Sequence, residues 1–314
     1  MSERSSAPPD SGAEGARGSL VLGLVKTIRP HQWVKNVFVL APAVFAQDFF
    51  HPDSLIRALG AVAVFCILSG AVYTLNDVLD VEADRVHPVK RRRPIASGVV
   101  PVGVARVYLG VLLVAAFSAG VAFFRLSFVG TALAYFLLNV AYSLRLKKIP
   151  FVDVLCIAGG FVLRVIGGGF AVGVRVSWYM LACTFLIALF LGLGKRRHEI
   201  AQEHAGRQRA SLESYTAKGL DIALTATGIA TVGTYVAYAL DPTTQAVFRS
   251  DQLWMTTPSV VIGVARFVQI VKGHPKSESP TQEMLRDSLF VLNLILWAVV
   301  VLVIVYRIRP TASP

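Results

Sequence analysis

Between residues 76 and 84 the chain reads NDVLDVEAD, which spaces Asn76, Asp77, Asp80 and Asp84 as N-D-x-x-D-x-x-x-D. On a helix, Asn76–Asp80 and Asp80–Asp84 are i,i+4 pairs and Asp77–Asp80 is an i,i+3 pair, so the four side chains share a face. Carboxylates so close repel each other, and beside a membrane they call for a compensating cation. Asp oxygens are hard ligands, and Mg²⁺ typically takes one or two protein carboxylates and completes its shell with water and substrate phosphate. The expected metal ligands are Asp77, Asp80 and Asp84, and the expected cofactor is Mg²⁺. The alternative is an acidic helix end solvated at an interface, with Asp84 paired to Arg85 or Arg91.

The stretch HPVKRRRPIASG, residues 87–98, then reverses the charge with Lys90, Arg91, Arg92 and Arg93. Pro88, Pro94 and Gly98 stop it from continuing a helix, so it is expected to fold back as a loop that brings its cations near the carboxylates. Metal and cationic side chains around a common void hold a diphosphate and assist its departure. Asp77, Asp80, Asp84, Lys90 and Arg93 are the expected catalytic residues, with Asn76 and Arg91 beside them in substrate binding.

The elements that must position these groups are membrane helices. Of 314 residues, 54% are hydrophobic and 16% charged, with a mean hydropathy of +0.60; soluble chains carry roughly a quarter charged residues. Apolar runs near the length needed to cross a bilayer predict nine helices, at about 34–50, 56–75, 101–122, 126–143, 152–172, 178–194, 221–240, 254–271 and 289–307. The expected architecture is an all-α membrane protein with these helices around a central cavity. Pro42 makes a kinked or tilted first helix the expectation. Residues 1–18, rich in Ser, Gly, Ala and Pro, read as a disordered tail and not a signal peptide, leaving residues 19–314 as one integral-membrane domain.

Lys and Arg in alternate connections number 21 on one side and 6 on the other, a bias that places the N-terminus, the basic loops and the acidic motif in the cytoplasm and the C-terminus outside. The same cations also suit anionic lipid headgroups. Cys66, Cys156 and Cys183 all fall in apolar runs without metal-ligand spacing and read as small core residues, and no nucleic-acid partner is expected. Arg164, inside the fifth run in GGFVLRVIGGG, should face a polar cavity or a carboxylate such as Asp153. The glycines around it suit close helix packing or lipid access.

The spacing Asn76-Asp77-x-x-Asp80-x-x-x-Asp84 followed by Arg93-Pro94-Ile95-x-x-Gly98 resembles the first aspartate-rich motif of the UbiA superfamily of intramembrane prenyltransferases. The resemblance extends over about residues 27–307 and implies nine helices. Members typically carry a second acidic motif after the sixth helix; here GLGKRRHEIAQEH supplies Lys195, Arg196 and Arg197, with only Glu199 and Glu203 as acids. Glu199 and Glu203 form an i,i+4 pair that either binds metal or is neutralised in helical salt bridges. A basic replacement suits an anionic acceptor. Together with RPHQWVKN (29–36) and SLESYT (211–216), this run resembles the decaprenyl-phosphate phosphoribosyltransferase branch.

That resemblance implies transfer of 5-phosphoribose from phosphoribosyl diphosphate to a polyprenyl (decaprenyl) phosphate, releasing diphosphate, toward lipid-linked arabinofuranose and cell-wall polysaccharide. Its partners would be those two substrates and an inner cell membrane. Lys195 and Arg196, helped by Lys35 and Asn36 at the start of the first helix, would take the acceptor phosphate, with Arg197 facing lipid. Tyr142 and Lys147 in YSLRLKKIPFVD match positions where the superfamily has a Tyr and a basic residue, implying phosphate contact; Tyr142 reads equally as an interfacial anchor. For Arg164 a phosphate contact and an ion pair both stand. Two other readings remain: a prenyltransferase alkylating an aromatic acceptor for quinone or haem synthesis, and a non-enzymatic transporter of anionic lipids or metabolites, which leaves the acidic spacing unexplained.

Overall fold

A computed structural model of the chain describes residues 11–201, 214–273 and 280–306. Among these residues there are helices and no strands. These described residues divide into two compact units, one of residues 11–37 and 63–124, the other of residues 38–62 and those from 125 onward.

Helix α1 (Ser11–Thr27) opens the first unit. Residues 1–10 of the expected tail lie outside the described residues, whereas 11–18 form the start of this helix. Leu20 and Leu24 anchor it against buried Ile95, Val100 and Ala105, and a helix so anchored extends back through its neighbours at little further cost. The remaining helices are α3 (Pro52–Leu79), which belongs to this unit from residue 63 onward, α4 (Val81–Val86) and α5 (Val102–Phe123). The helix carrying the acidic motif therefore breaks at Asp80 and resumes at Val81. The ladder survives the break, since the Asp80 amide donates to the Asn76 carbonyl and the Asp84 amide to the Asp80 carbonyl, at 2.9 and 2.8 Å.

The second unit contains α2 (Ala41–Phe45), α6 (Leu126–Leu144), α7 (Val152–Val172), α8 (Trp178–Ala201), α9 (Ala217–Leu240), α10 (Pro242–Phe248), α11 (Thr257–Lys272), α12 (Pro280–Arg286) and α13 (Ser288–Val305). Chain neighbours pack in succession, α6 on α7, α7 on α8 and α8 on α9, while α11 packs on α9 and α13. Local chemistry sets the ends. Gly173 takes a left-handed conformation (φ 78°) to stop α7; the Asp241 carboxylate accepts from the Thr244 amide ahead of Pro242 to start α10. One core gathers Phe190, Leu193, Leu220, Leu224 and Phe267, and a second gathers Tyr235, Tyr238, Phe248 and Leu253.

Eight of the nine expected spans are helices long and apolar enough to cross a bilayer. The first, 34–50, is a correction: it is a 3-10 segment, Pro30–Leu40, followed by the five-residue α2 with Pro42 in its first turn. Proline there lacks the amide an α-helical ladder needs, and α2 packs on α7. Gly168 of α7 permits the close approach of the 3-10 segment just ahead of α2, because a Cβ at this position would lie 2.0 Å from the Val39 carbonyl oxygen. Gly168→Ala is expected to destabilise the protein by about 1–3 kcal/mol, read as a lower unfolding midpoint in detergent. Gly110→Ala in α5, where a Cβ meets open space, is the control and leaves the midpoint unchanged or raised.

Candidate functional site

In the first unit, the fold-back of residues 87–98 happens as expected. The His87 ring nitrogen Nδ1 accepts from the amides of Val89 and Lys90 at 3.2 and 3.3 Å, a 3-10 turn covers Lys90–Arg92, and the Val100 amide closes back on the Pro94 carbonyl at 2.9 Å. The result delivers Arg93 to the acidic motif. Its Nη1 donates to Asp84 Oδ2 at 2.6 Å and to Asp77 Oδ1 at 3.2 Å. Both aspartates are buried, at 2% and 3% exposure. Asp80, at the helix break, is half-buried, as is Asn76.

The sequence reading missed Arg29. Its Nη2 donates to the same Asp77 oxygen, and its guanidinium lies 4.9 Å from the Tyr73 ring centre. Arg29 achieves this from a left-handed backbone (φ 52°) just before Pro30, a conformation that a non-glycine residue holds only where its surroundings demand it. Its signal lay in the opening of RPHQWVKN. Lys90 is half-buried while Arg91 and Arg92 are exposed, so Asp84 pairs with Arg93, not with Arg85 or Arg91.

Asn36 is fully buried. Its amide nitrogen reaches Cys66 Sγ at 3.2 Å and its oxygen accepts from the Ser69 hydroxyl at 3.4 Å, which ties the 3-10 segment to α3. Lys35 beside it is half-buried.

The second unit holds a different charge cluster. Arg196, expected to meet an acceptor, is 1% exposed and encloses itself between two acids, with Nε 2.7 Å from Asp153 Oδ2 and Nη1 on Glu199. Asp153 is fully buried, and the Tyr215 hydroxyl donates to its Oδ1 at 2.8 Å. Tyr215 Oη also accepts from the Phe151 amide at 2.6 Å, holding Phe151 in a left-handed conformation (φ 64°). Burial first, and then the Asp153 contact, push the Tyr215 phenol above its ordinary range, so it stays a donor. Two hydrogen bonds and an ion pair thus join YSLRLKKIPFVD, GKRRHE and the end of SLESYT. Tyr142 lies within electrostatic reach of Arg196.

Within that cluster Lys195 is the part-exposed cation, 4.0 Å from Glu199 Oε1. Glu199 is neutralised by helical salt bridges, the second of the two readings given to it; Glu203 lies outside the described residues. Arg197 pairs with Asp221 at 2.9 Å. Lys147 sits half-buried on the 3-10 turn Leu146–Lys148.

A carboxylate such as Asp153 is one of the partners expected of Arg164. The carboxylate is already engaged by Arg196, and Arg164 instead donates to the Tyr135 hydroxyl at 2.7 Å and to the Gly160 carbonyl at 3.1 Å, with its guanidinium 4.7 Å from the Tyr135 ring centre. An aromatic face and two acceptors suit a cation buried at 6% exposure.

Residues 36–294 match the UbiA prenyltransferase family. The chain belongs to that family. Among UbiA-family relatives, it is 35% identical to the decaprenyl-phosphate phosphoribosyltransferase of Corynebacterium glutamicum, across 92% of this chain and 88% of that one. The protein of the same name from Mycolicibacterium smegmatis is 32% identical, over 90% and 92% of the two chains. A UbiA homologue from Archaeoglobus fulgidus, solved bound to GPP and Mg²⁺, superposes with a TM-score of 0.66 over 91% of this chain and 98% of that one, at 18% identity. That likeness is one of fold, and with the eight apolar helices it makes this UbiA chain an integral, multi-pass membrane protein.

Arg196→Gln separates a buried counter-ion from an exposed phosphate ligand. Removing the cation leaves Asp153 buried without compensation and is expected to cost about 3–5 kcal/mol of stability, measured by thermal unfolding. An unchanged midpoint would show that the cluster is not held by that ion pair.

Proposed function

We propose that this UbiA-family chain transfers 5-phosphoribose from phosphoribosyl diphosphate to a polyprenyl phosphate of the decaprenyl type, releasing diphosphate. The observation that carries the reading is the run GLGKRRHEIAQEH, where Lys195, Arg196 and Arg197 stand in place of a second acidic motif and Lys195 is left part-exposed. Similarity over about nine-tenths of the chain to proteins named decaprenyl-phosphate phosphoribosyltransferase supports it. A lipid-linked pentose phosphate of this kind serves lipid-linked arabinofuranose and cell-wall polysaccharide synthesis such as arabinogalactan.

Donor recognition falls to the first unit. Asp77, Asp80 and Asp84 are the proposed Mg²⁺ ligands. The donor set fits that ion: it is all carboxylate, and Asp77 and Asp84 are already drawn to a single cationic point by Arg93. Among the described residues no three acidic, His or Cys side chains form a metal cage, so Mg²⁺ would be held by one or two of these carboxylates and complete its shell with water and phosphate. Mg²⁺ held by these aspartates would supply positive charge against the departing diphosphate. Arg93 and Lys90 stabilise the same developing charge, and Arg91 and Asn76 orient the donor. As the ribose C1–O bond lengthens, the ring becomes oxocarbenium-like and a lipid phosphate oxygen attacks from the opposite face. No side chain needs to act as general base, because a phosphate monoester is already anionic at neutral pH.

Acceptor recognition is assigned to Lys195, with Tyr142 and Lys147, in the second unit. Arg196 acts there as the buried counter-ion that fixes Glu199, and through it Lys195. Arg164 holds its place through Tyr135, while Asn36 positions Lys35. The Lys and Arg excess of the loops at 76–100, 144–151, 195–220 and 272–285 supports an inner-membrane orientation with these loops in the cytoplasm and the C-terminus outside.

Purified protein with Mg²⁺, radiolabelled phosphoribosyl diphosphate and decaprenyl phosphate is expected to yield a labelled lipid. Asp77→Ala and Asp80→Ala should each lower that yield at least about 100-fold, the scale on which removing a charge-stabilising group acts, while the variants remain folded by circular dichroism. Wild-type yield in both variants removes the metal assignment. Turnover of a prenyl diphosphate with an aromatic acid, and none with the sugar donor, replaces the function with aromatic prenylation.

A further inference from the structure

The transfer reaction uses nothing on the surface where α9 and α11 meet, yet a furrow of about 450 Å³ lies there. Its mouth is basic. Lys218 in the first turn of α9 and Lys272, the last residue of α11, both line it, so these two helices run antiparallel and bring their charged ends to one membrane surface. Asp221 also stands at the mouth and would repel an anion, but the Arg197 guanidinium neutralises it at 2.9 Å. The mouth therefore keeps the two lysine charges.

Below the mouth the chemistry changes. Ile222, Ala226 and Ile229 line the furrow at helical spacing on one face of α9. Ile222 is 62% and Ile229 69% exposed, so no described residue covers them. From Lys218 to Ile229 the wall descends about 16 Å along the helix, roughly half of a hydrocarbon core about 30 Å thick.

We propose that this furrow binds an anionic phospholipid of the bilayer, its headgroup phosphate between Lys218 and Lys272 and one acyl chain along Ile222, Ala226 and Ile229. Charge and length both select this occupant. Lys218 and Lys272 disfavour a zwitterionic choline headgroup, which brings its own cation to the mouth. A free phosphate gains nothing from the isoleucine wall. A wall that stops near the bilayer centre matches one leaflet's acyl chain, not a polyprenyl chain that is far longer. The site is independent of the transfer chemistry, since none of its residues carries a role there.

The test uses the full chain, delipidated in detergent and titrated with phosphatidylglycerol, phosphatidylcholine, glycerol 3-phosphate or decaprenyl phosphate, with bound lipid counted by native mass spectrometry. Phosphatidylglycerol should bind more tightly than phosphatidylcholine. Lys218→Gln and Lys272→Gln should each weaken it about fivefold, the worth of one lysine near an anionic surface, whereas Asp221→Asn should tighten it. Equal phosphatidylglycerol binding by the double lysine variant, or equal affinity for phosphatidylcholine, overturns the proposal. So does glycerol 3-phosphate binding as tightly as the lipid, or decaprenyl phosphate displacing phosphatidylglycerol at lower concentration, which would make the furrow part of acceptor binding.

Discussion

Asp77, Asp84 and Asp153 are each 3% exposed or less in a chain whose composition suits hydrocarbon, and an ionised carboxylate held there without a partner costs several kcal/mol. Much of the local architecture answers that constraint. In the first unit it explains why a loop with two prolines folds back, since only a reversal brings Arg93 onto Asp77 and Asp84. It explains Arg29 too, which accepts a left-handed backbone to add a second cation to Asp77. In the second unit Arg196 and Tyr215 divide the two oxygens of Asp153.

The two units meet this constraint in chemically different ways. Around Asp77 the compensating cations are part-exposed, with Arg29 and Arg93 side chains at 24% and 28%. In the proposed reaction a guanidinium that gave up its carboxylate would be free to meet a diphosphate, whose oxygens its planar fork matches. Around Asp153 the cation is as buried as the carboxylate, so this pair is a fixed strut. Charge in the first unit is thus suited to ligand exchange, and charge in the second to holding the loop before α7 and the start of α9 in place.

Much of this was legible in the sequence because it depends on local spacing. Apolar run lengths mark eight membrane helices within a few residues of where they lie, and the N-D-x-x-D-x-x-x-D pattern marks the acidic face. What was not legible depends on partners far apart in the chain. Arg196 looks like its neighbours Lys195 and Arg197 until Asp153, 43 positions earlier, is found against it. Asn36 looks like a polar ligand beside Lys35 until Cys66 and Ser69 enclose it. The first span failed for a local reason with a tertiary sequel: Pro42 interrupts the ladder, and Gly168 lets the resulting short segment approach α7.

The account turns on whether Asp77 and Asp84 exchange Arg93 for a metal ion when the donor arrives. A density map of the protein with phosphoribosyl diphosphate and Mg²⁺ measures this directly. The account predicts Mg²⁺ about 2.1 Å from a carboxylate oxygen of the Asp77–Asp80–Asp84 motif, with the Arg93 guanidinium turned onto the diphosphate. Donor bound with no ion on that motif, and Arg93 still bridging Asp77 and Asp84, would contradict it.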